Sequence, residues 1–207
     1  MTRVAILVSG SGTNLQALID ATAEPGHPVE IAVVVCNRPR AKAIARAQAA
    51  GIPVEIRSHR AFADRTAYDQ ELVRALTPYG VDWICCAGFM RILGKPLISA
   101  YPGRILNIHP SILPSFPGLN AQAQAIAAGV CVTGCTVHIV DAGVDTGSII
   151  AQGVVPVHTG DTEDTLKARL LKMEHRVYTT VLRWAGDGTL QPGGVVAEGT
   201  PCSWSDV

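Results

Sequence analysis

The sequence is poor in charge. Only 16% of its residues are Asp, Glu, Lys or Arg, and 17 basic side chains cancel 17 acidic ones. A chain without a net field has no global means of holding a nucleic acid or an anionic membrane, so any anion must be bound by local geometry. Long apolar runs are missing too, which argues against a bilayer-spanning helix. The opening MTRVAILVSGSG is apolar from Val4 to Val8 and then breaks into glycine and serine, unlike a secretory leader. A cytoplasmic protein is expected. There are six cysteines but no CxxC; Cys36, Cys85 and Cys86 lie inside apolar runs, where cysteine acts as a small hydrophobe, and Cys131 and Cys135 have no ligand pattern beside them. Neither structural zinc nor a disulfide framework is expected. HExxH and GxSxG are absent, and His59, His138, His158 and His175 are scattered along the chain, so no metal site is expected.

What is present is an alternation. Apolar runs at 3–9, 29–36, 52–58, 81–88 and 104–110 read as strands. Helical patterns at 13–23, 41–51, 64–76 and 95–100 separate them. Strands alternating with helices imply βαβ units and a mainly parallel sheet, with ligands at the strands' carboxyl ends. Runs such as IAVVVC are apolar on both faces, as a sheet covered by helices requires. After a helix at 120–129, strands at 132–141 and 148–157 are joined by the short AGVDTG, which permits only antiparallel pairing. A helix over 161–184 comes next, with Asp161 as its N-cap and Leu166, Leu170, Met173, Val177, Val181 and Trp184 as one stripe. The expectation is one α/β domain over 1–207, Rossmann-like, with helices on both faces and a loose tail at 186–207.

Four stretches can carry chemistry. SGSGTNLQAL (9–18) turns from the first strand into the first helix, where the amides of Gly12, Thr13 and Asn14 would face an anion. It matches neither GxGxxG nor a P-loop and has no lysine for a polyphosphate, so a single phosphate or a plain tight turn are the two readings. In RILNIHP, a period of two puts Asn107 and His109 on one face, opposite Leu106 and Ile108. Pro110 and the prolines after it stiffen the adjoining loop. An amide donor beside an imidazole suits a reaction that stabilises an oxyanion and moves a proton. VDAGVDTGS (140–148) offers Asp141 and Asp145, which are usual turn residues but would also orient an imidazole and favour its charged form. In AGFMRIL (87–93), apolar side chains where a loop is expected either line a flat ligand or pack under the loop, with Arg91 free for a carboxylate.

Together these stretches resemble the phosphoribosylglycinamide formyltransferase family, over about Arg3 to Trp184, carried by SGSGTNLQAL, AGFMRIL, LNIHPSILPSFPGL and GCTVHIVDAGVDTG. The resemblance implies a metal-independent formyl transferase of purine synthesis, with 10-formyltetrahydrofolate as cosubstrate and the glycyl amine of 5'-phosphoribosylglycinamide as acceptor. It makes Asn107, His109 and Asp145 catalytic and assigns Gly12, Thr13, Asn14 and Glu174 to the ribonucleotide. It sets the folate against Arg65, Met90, Arg91, Ile92, Leu93, Asp141, Ala142, Gly143 and Val144. It implies small-molecule substrates, no nucleic acid or membrane, and a monomer or homodimer. The chain departs from the family pattern at NAQAQA (120–125), where histidines are usual, and at Ser148, where proline is usual. A Rossmann dehydrogenase would need an acidic residue at the end of the second strand; Asn37 and Arg38 stand there instead.

Overall fold

The computed structural model describes residues 1–206. The first half is a series of βα units: β1 (Thr2–Val8), α1 (Thr13–Thr22), β2 (Val29–Cys36), α2 (Lys42–Ala49), β3 (Val54–Ile56), α3 (Arg65–Leu76), β4 (Trp83–Cys86), α4 (Lys95–Ala100) and β5 (Ile105–His109). Then come α5 (Ala121–Ala127), β6 (Val132–Ile139), β7 (Ile149–Pro156), α6 (Glu163–Asp187), β8 (Leu190–Gln191), β9 (Val195–Val196) and β10 (Ser203–Ser205). The main sheet has the order β10-β7-β6-β5-β4-β1-β2-β3. Its β3-to-β5 part is parallel, whereas β5, β6 and β7 pair antiparallel. The mixed sheet expected from the short AGVDTG connection is thus present.

The chain winds from β1 to β2 in one direction and resumes at β4 on the other side of β1. That reversal opens a crevice at the carboxyl ends of β1 and β4, where an open α/β sheet holds its ligands. Alternation along the strands divides the core. Val4, Ile6 and Val8 join Leu15, Leu18, Ala43 and the α6 stripe on one face; Ala5 and Leu7 join Tyr68, Leu72 and Leu97 on the other. Every residue of the α6 stripe is buried. Tyr178 locks that helix to the sheet, its hydroxyl 3.1 Å from the Cys86 carbonyl and 3.3 Å from that of Leu106.

Two expectations need correction. The N-cap of α6 is Thr162, whose side chain accepts the Thr165 amide while Thr165 reaches back to the Thr162 amide. Asp161 is drawn off that role because its carboxylate takes both guanidinium nitrogens of Arg169, at 2.7 and 3.0 Å. The tail is also not loose. The antiparallel pair β8–β9 comes after α6, and β10 adds to the main sheet alongside β7, with Trp204 at 5.8 Å from Trp184 between ring centroids. Glycine and proline composition signals turns; it does not show that a three-residue strand has an open sheet edge to join.

Candidate active site

The centre of the site is a cross-strand pair. In the antiparallel β5–β6 register Asn107 lies opposite His138, and His109 opposite Thr136. Opposed residues share a face, so these four side chains sit together, while Leu106, Ile108 and Val137 enter the core behind them. The Asn107 side-chain nitrogen is 3.1 Å from His138 Nε2, and His138 Nδ1 is 2.9 Å from the Ile139 carbonyl. Nδ1 donates to that carbonyl, while Nε2 faces both the Asn107 amide and the Asp145 carboxylate: unprotonated it accepts one amide hydrogen of Asn107, and protonated it turns its charge to Asp145. The second amide hydrogen has no partner among the described residues. In the sequence His138 is one of several scattered histidines; only the strand register brings it beside Asn107.

The 140–148 loop leaves β6 next to Ile105, whose carbonyl takes the Val140 amide, and then folds back over this face. Asp145 is the residue that arrives, with φ of 56°, a left-handed conformation Asp tolerates better than most. Its carboxylate lies 3.3 Å from His109 Nδ1 and 3.6 Å from His138 Nε2, and it accepts the Gly118 amide at 2.8 Å. The turn reading and the charge-pair reading of Asp145 therefore describe the same residue. Burial pushes its carboxyl up, but His138, the Gly118 amide and the charge of His109 outweigh this and hold it below the ordinary carboxylate value. On its other side, His109 Nε2 is 2.9 Å from the Phe116 carbonyl. Two acceptors flank the ring, and only a doubly protonated imidazole donates to both.

The loop after His109 is held from below. Thr136 donates to the Ser111 carbonyl at 2.7 Å and accepts the Leu113 amide at 3.0 Å, and Gln152 reaches the Leu113 carbonyl at 2.9 Å. A cavity of about 290 Å³ lies between this loop and the next, bounded by Leu113, Pro114, Pro117, Val144, Asp145 and Ile149.

The glycine loop lies at the carboxyl end of β1. Gly12 is the N-cap of α1 with φ of 74°, and a Cβ built there would lie 2.8 Å from the Ala43 Cβ. Glycine is needed at position 12 for the left-handed turn and for close packing on α2. The next amides open α1 and have no preceding turn to receive them. Asn14 is buried and donates to Glu174 at 2.7 Å, which joins α1 to α6 and places two of the four residues expected for the ribonucleotide in contact. Burial pushes the Glu174 carboxyl up, against the Asn14 hydrogen bond and the charge of Lys167. Arg46 of α2 holds the Ser11 carbonyl at 2.9 Å and the Gln16 side chain at 3.1 Å. This cation beside the loop has no signature in the Ala-rich α2 sequence.

The 87–93 stretch is tied to the glycine loop, since the Met90 amide donates to Ser9 Oγ at 2.8 Å. Met90, Arg91 and Ile92 are exposed, whereas Phe89 and Leu93 are buried in the α3-side core. Phe89 and Leu93 thus follow the core-packing reading of AGFMRIL, while Met90, Arg91 and Ile92 stay on the surface. Asp141 is a turn residue: its carboxylate accepts the Gly143 amide at 3.0 Å and the Thr146 hydroxyl at 2.7 Å.

Comparison with known proteins fits this arrangement. The Formyl transferase family model matches residues 2–182. The chain belongs to the formyltransferase family. It is 41% identical to phosphoribosylglycinamide formyltransferase of Bacillus subtilis, over 88% of this chain and 94% of that one. It is 42% identical to the Escherichia coli protein of the same name, over 91% and 89% of the two chains. The human trifunctional purine biosynthetic protein adenosine-3 is 46% identical over 92% of this chain, which spans 19% of that longer protein. Glycinamide ribonucleotide transformylase 1 from Symbiobacterium toebii superposes with a TM-score of 0.90 at 48% identity, covering 98% of this chain and 92% of that one. In this chain the fold brings together all four stretches singled out in the sequence and adds His138, Thr136 and Arg46. Among the described residues no helix is long and apolar enough to cross a membrane.

Proposed function

We propose that the chain transfers the formyl group of 10-formyltetrahydrofolate to the glycyl amine of 5'-phosphoribosylglycinamide, a step of purine synthesis. The observation that carries this reading is the cluster of Asn107, His109, His138 and Asp145 on one sheet face beside the β1–β4 crevice. The likeness to proteins bearing that name supports the acceptor; the folate donor is the finer part of the proposal.

In this reading the phosphate rests on the amides of Gly12, Thr13 and Asn14 at the start of α1, and Glu174 meets the ribonucleotide beyond it. The folate lies along Met90 to Leu93 and the 141–144 turn, with Arg65 and Arg91 facing its carboxylates. The neutral amine attacks the formyl carbon, and the carbonyl oxygen becomes an oxyanion. The second amide hydrogen of Asn107 and the Nε2 proton of His109 donate to it, once the oxygen replaces the Phe116 carbonyl as the His109 acceptor. Asp145 stabilises the imidazolium from the Nδ1 side. The attacking nitrogen gives up a proton and the leaving folate nitrogen takes one, so the formyl carbon changes partner with no net proton change. His138 orients the Asn107 amide.

The test is an acceptor screen with purified protein and 10-formyltetrahydrofolate, monitoring tetrahydrofolate release. Release that depends on the ribonucleotide and fails with its dephosphorylated form supports both ends of the proposal. Release that water alone sustains at the same rate would assign the site to hydrolysis.

A further inference from the structure

Asp69 is a buried carboxylate that the proposed formyl transfer does not use. It lies on α3, four residues after Arg65 and so on the same helical face. Its relative exposure is 1%, in the core built by Tyr68, Leu72 and Leu97. One carboxylate oxygen accepts the Gly94 amide, and the other has no partner among the described residues. Gly94 is the residue through which the 87–93 stretch enters α4. A Cβ built on Gly94 would lie 2.5 Å from Asp69 Oδ2 and 3.3 Å from Arg65 Nε, so the backbone there rests directly on both side chains.

A half-paired carboxylate inside an apolar core is a costly way to fill space. Burial pushes its carboxyl up, opposed by the Gly94 amide and by the charges of Arg65 and Arg91. What the carboxylate supplies is a strong, directional acceptor for one backbone amide. The loop is thereby pinned at two points: Met90 to Ser9 at one end, Gly94 to Asp69 at the other. Between the pins stand Met90, Arg91 and Ile92, of which all three are exposed, with Arg65 beside the second pin.

We propose that Asp69 is a positioning residue for the formyl donor: by latching Gly94 onto α3 it aligns the exposed 90–92 segment with Arg65 as one wall of the donor site. This rests on the folate reading of the site. It adds a residue that touches no substrate, acting on donor affinity alone.

The experiment compares wild type, Asp69→Ala, Asp69→Asn and Gly94→Ala. Steady-state kinetics gives both KM values and kcat; calorimetry gives the Kd of tetrahydrofolate without turnover. Asp69→Ala should raise the donor KM and the tetrahydrofolate Kd about tenfold, the scale set by one lost hydrogen bond to a charged group. Its kcat and acceptor KM should stay within about twofold on the same scale. Asp69→Asn retains an acceptor oxygen and should recover most of the loss. Gly94→Ala displaces the same contact from the loop side and should reproduce the donor defect, which keeps the test alive where Asp69→Ala does not fold. A folded Asp69→Ala or Gly94→Ala with wild-type donor KM and tetrahydrofolate Kd would overturn the latch, as would equal losses in both KM values and kcat. A wild-type protein that binds no tetrahydrofolate would instead overturn the folate reading itself.

Discussion

Asp145 and Glu174 are both carboxylates in the site, and their surroundings push them in opposite directions. Asp145 meets His138, His109 and the Gly118 amide, which together outweigh its burial. Asp145→Asn keeps the size and tolerates the positive φ but removes the charge that faces His109. Turnover at neutral pH should fall roughly 10²–10⁴-fold, the span of general acid–base groups. Combined with His109→Ala, the double variant should lose little more than the worse single one, because the two act as a unit; multiplicative losses in kcat/KM would separate them. Asn107→Ala removes one donor to the oxyanion and should cost on the order of 10²–10³ in kcat with donor affinity little changed. Near-wild-type kcat would show that the oxygen is held elsewhere. Gly12 is a poor probe of phosphate binding, because any side chain there strikes Ala43 and forces an unfavourable φ. Gly12→Val should be read first by thermal unfolding, where a large drop is expected.

At the scale of elements, the order and type of the helices and long strands were legible from periodicity alone, since each buries a continuous apolar face. The α6 stripe and the antiparallel β6–β7 pair are the clearest cases. The site was legible in part. Asn107 and His109 stood out because a strand period of two aims them together, and the glycine loop because it joins a strand to a helix. Asp145 was indistinguishable from a turn residue by composition and entered as a site residue through the resemblance alone. His138 was not legible, because its role exists only in the β5–β6 register, a non-local property. The tail was missed for the same reason: β10 has three residues and depends on the open edge of β7. Removing residues after 198 should expose that edge and the Trp184 face. Thermal unfolding should then occur at lower temperature with more light scattering, while kcat/KM at low temperature stays near wild type; unchanged Tm would return the tail to being an appendage. A smaller change, Thr162→Ala, deletes the α6 cap and should cost ~1 kcal/mol in denaturant unfolding, whereas Asp161 has no capping bond to lose.

For the whole molecule, the two carboxylates give opposite contributions to stability as pH changes. The Asp145 carboxyl is held below its ordinary value, so the folded state gains from its charge above the ordinary carboxylate range and loses that gain as pH falls through the lowered value. The Glu174 carboxyl is pushed up by burial, so its charged form weakens the folded state at neutral pH, and that penalty disappears as pH falls through the raised value. Glu174→Gln keeps an acceptor for Asn14 and should therefore be stabilising at neutral pH, with its advantage over wild type shrinking in acid. Asp145→Asn should be destabilising at neutral pH, with its deficit shrinking in acid only at lower pH. Tm differences across pH check both signs; a Glu174→Gln advantage that grows in acid would contradict the burial argument. The raised acceptor KM expected of Glu174→Gln is a separate readout, so a more stable protein that binds its acceptor less well is the combined expectation.

Everything proposed for this molecule turns on one sheet face moving a formyl group between two nitrogens. The sharpest check is to incubate the protein with isotope-labelled 10-formyltetrahydrofolate and 5'-phosphoribosylglycinamide and to locate the label by mass spectrometry. Label is expected on the glycyl amine of the ribonucleotide, with incorporation nearly abolished in Asn107→Ala, His109→Ala and Asp145→Asn. Label released as free formate, or incorporation that survives all three substitutions, would refute the proposed transfer.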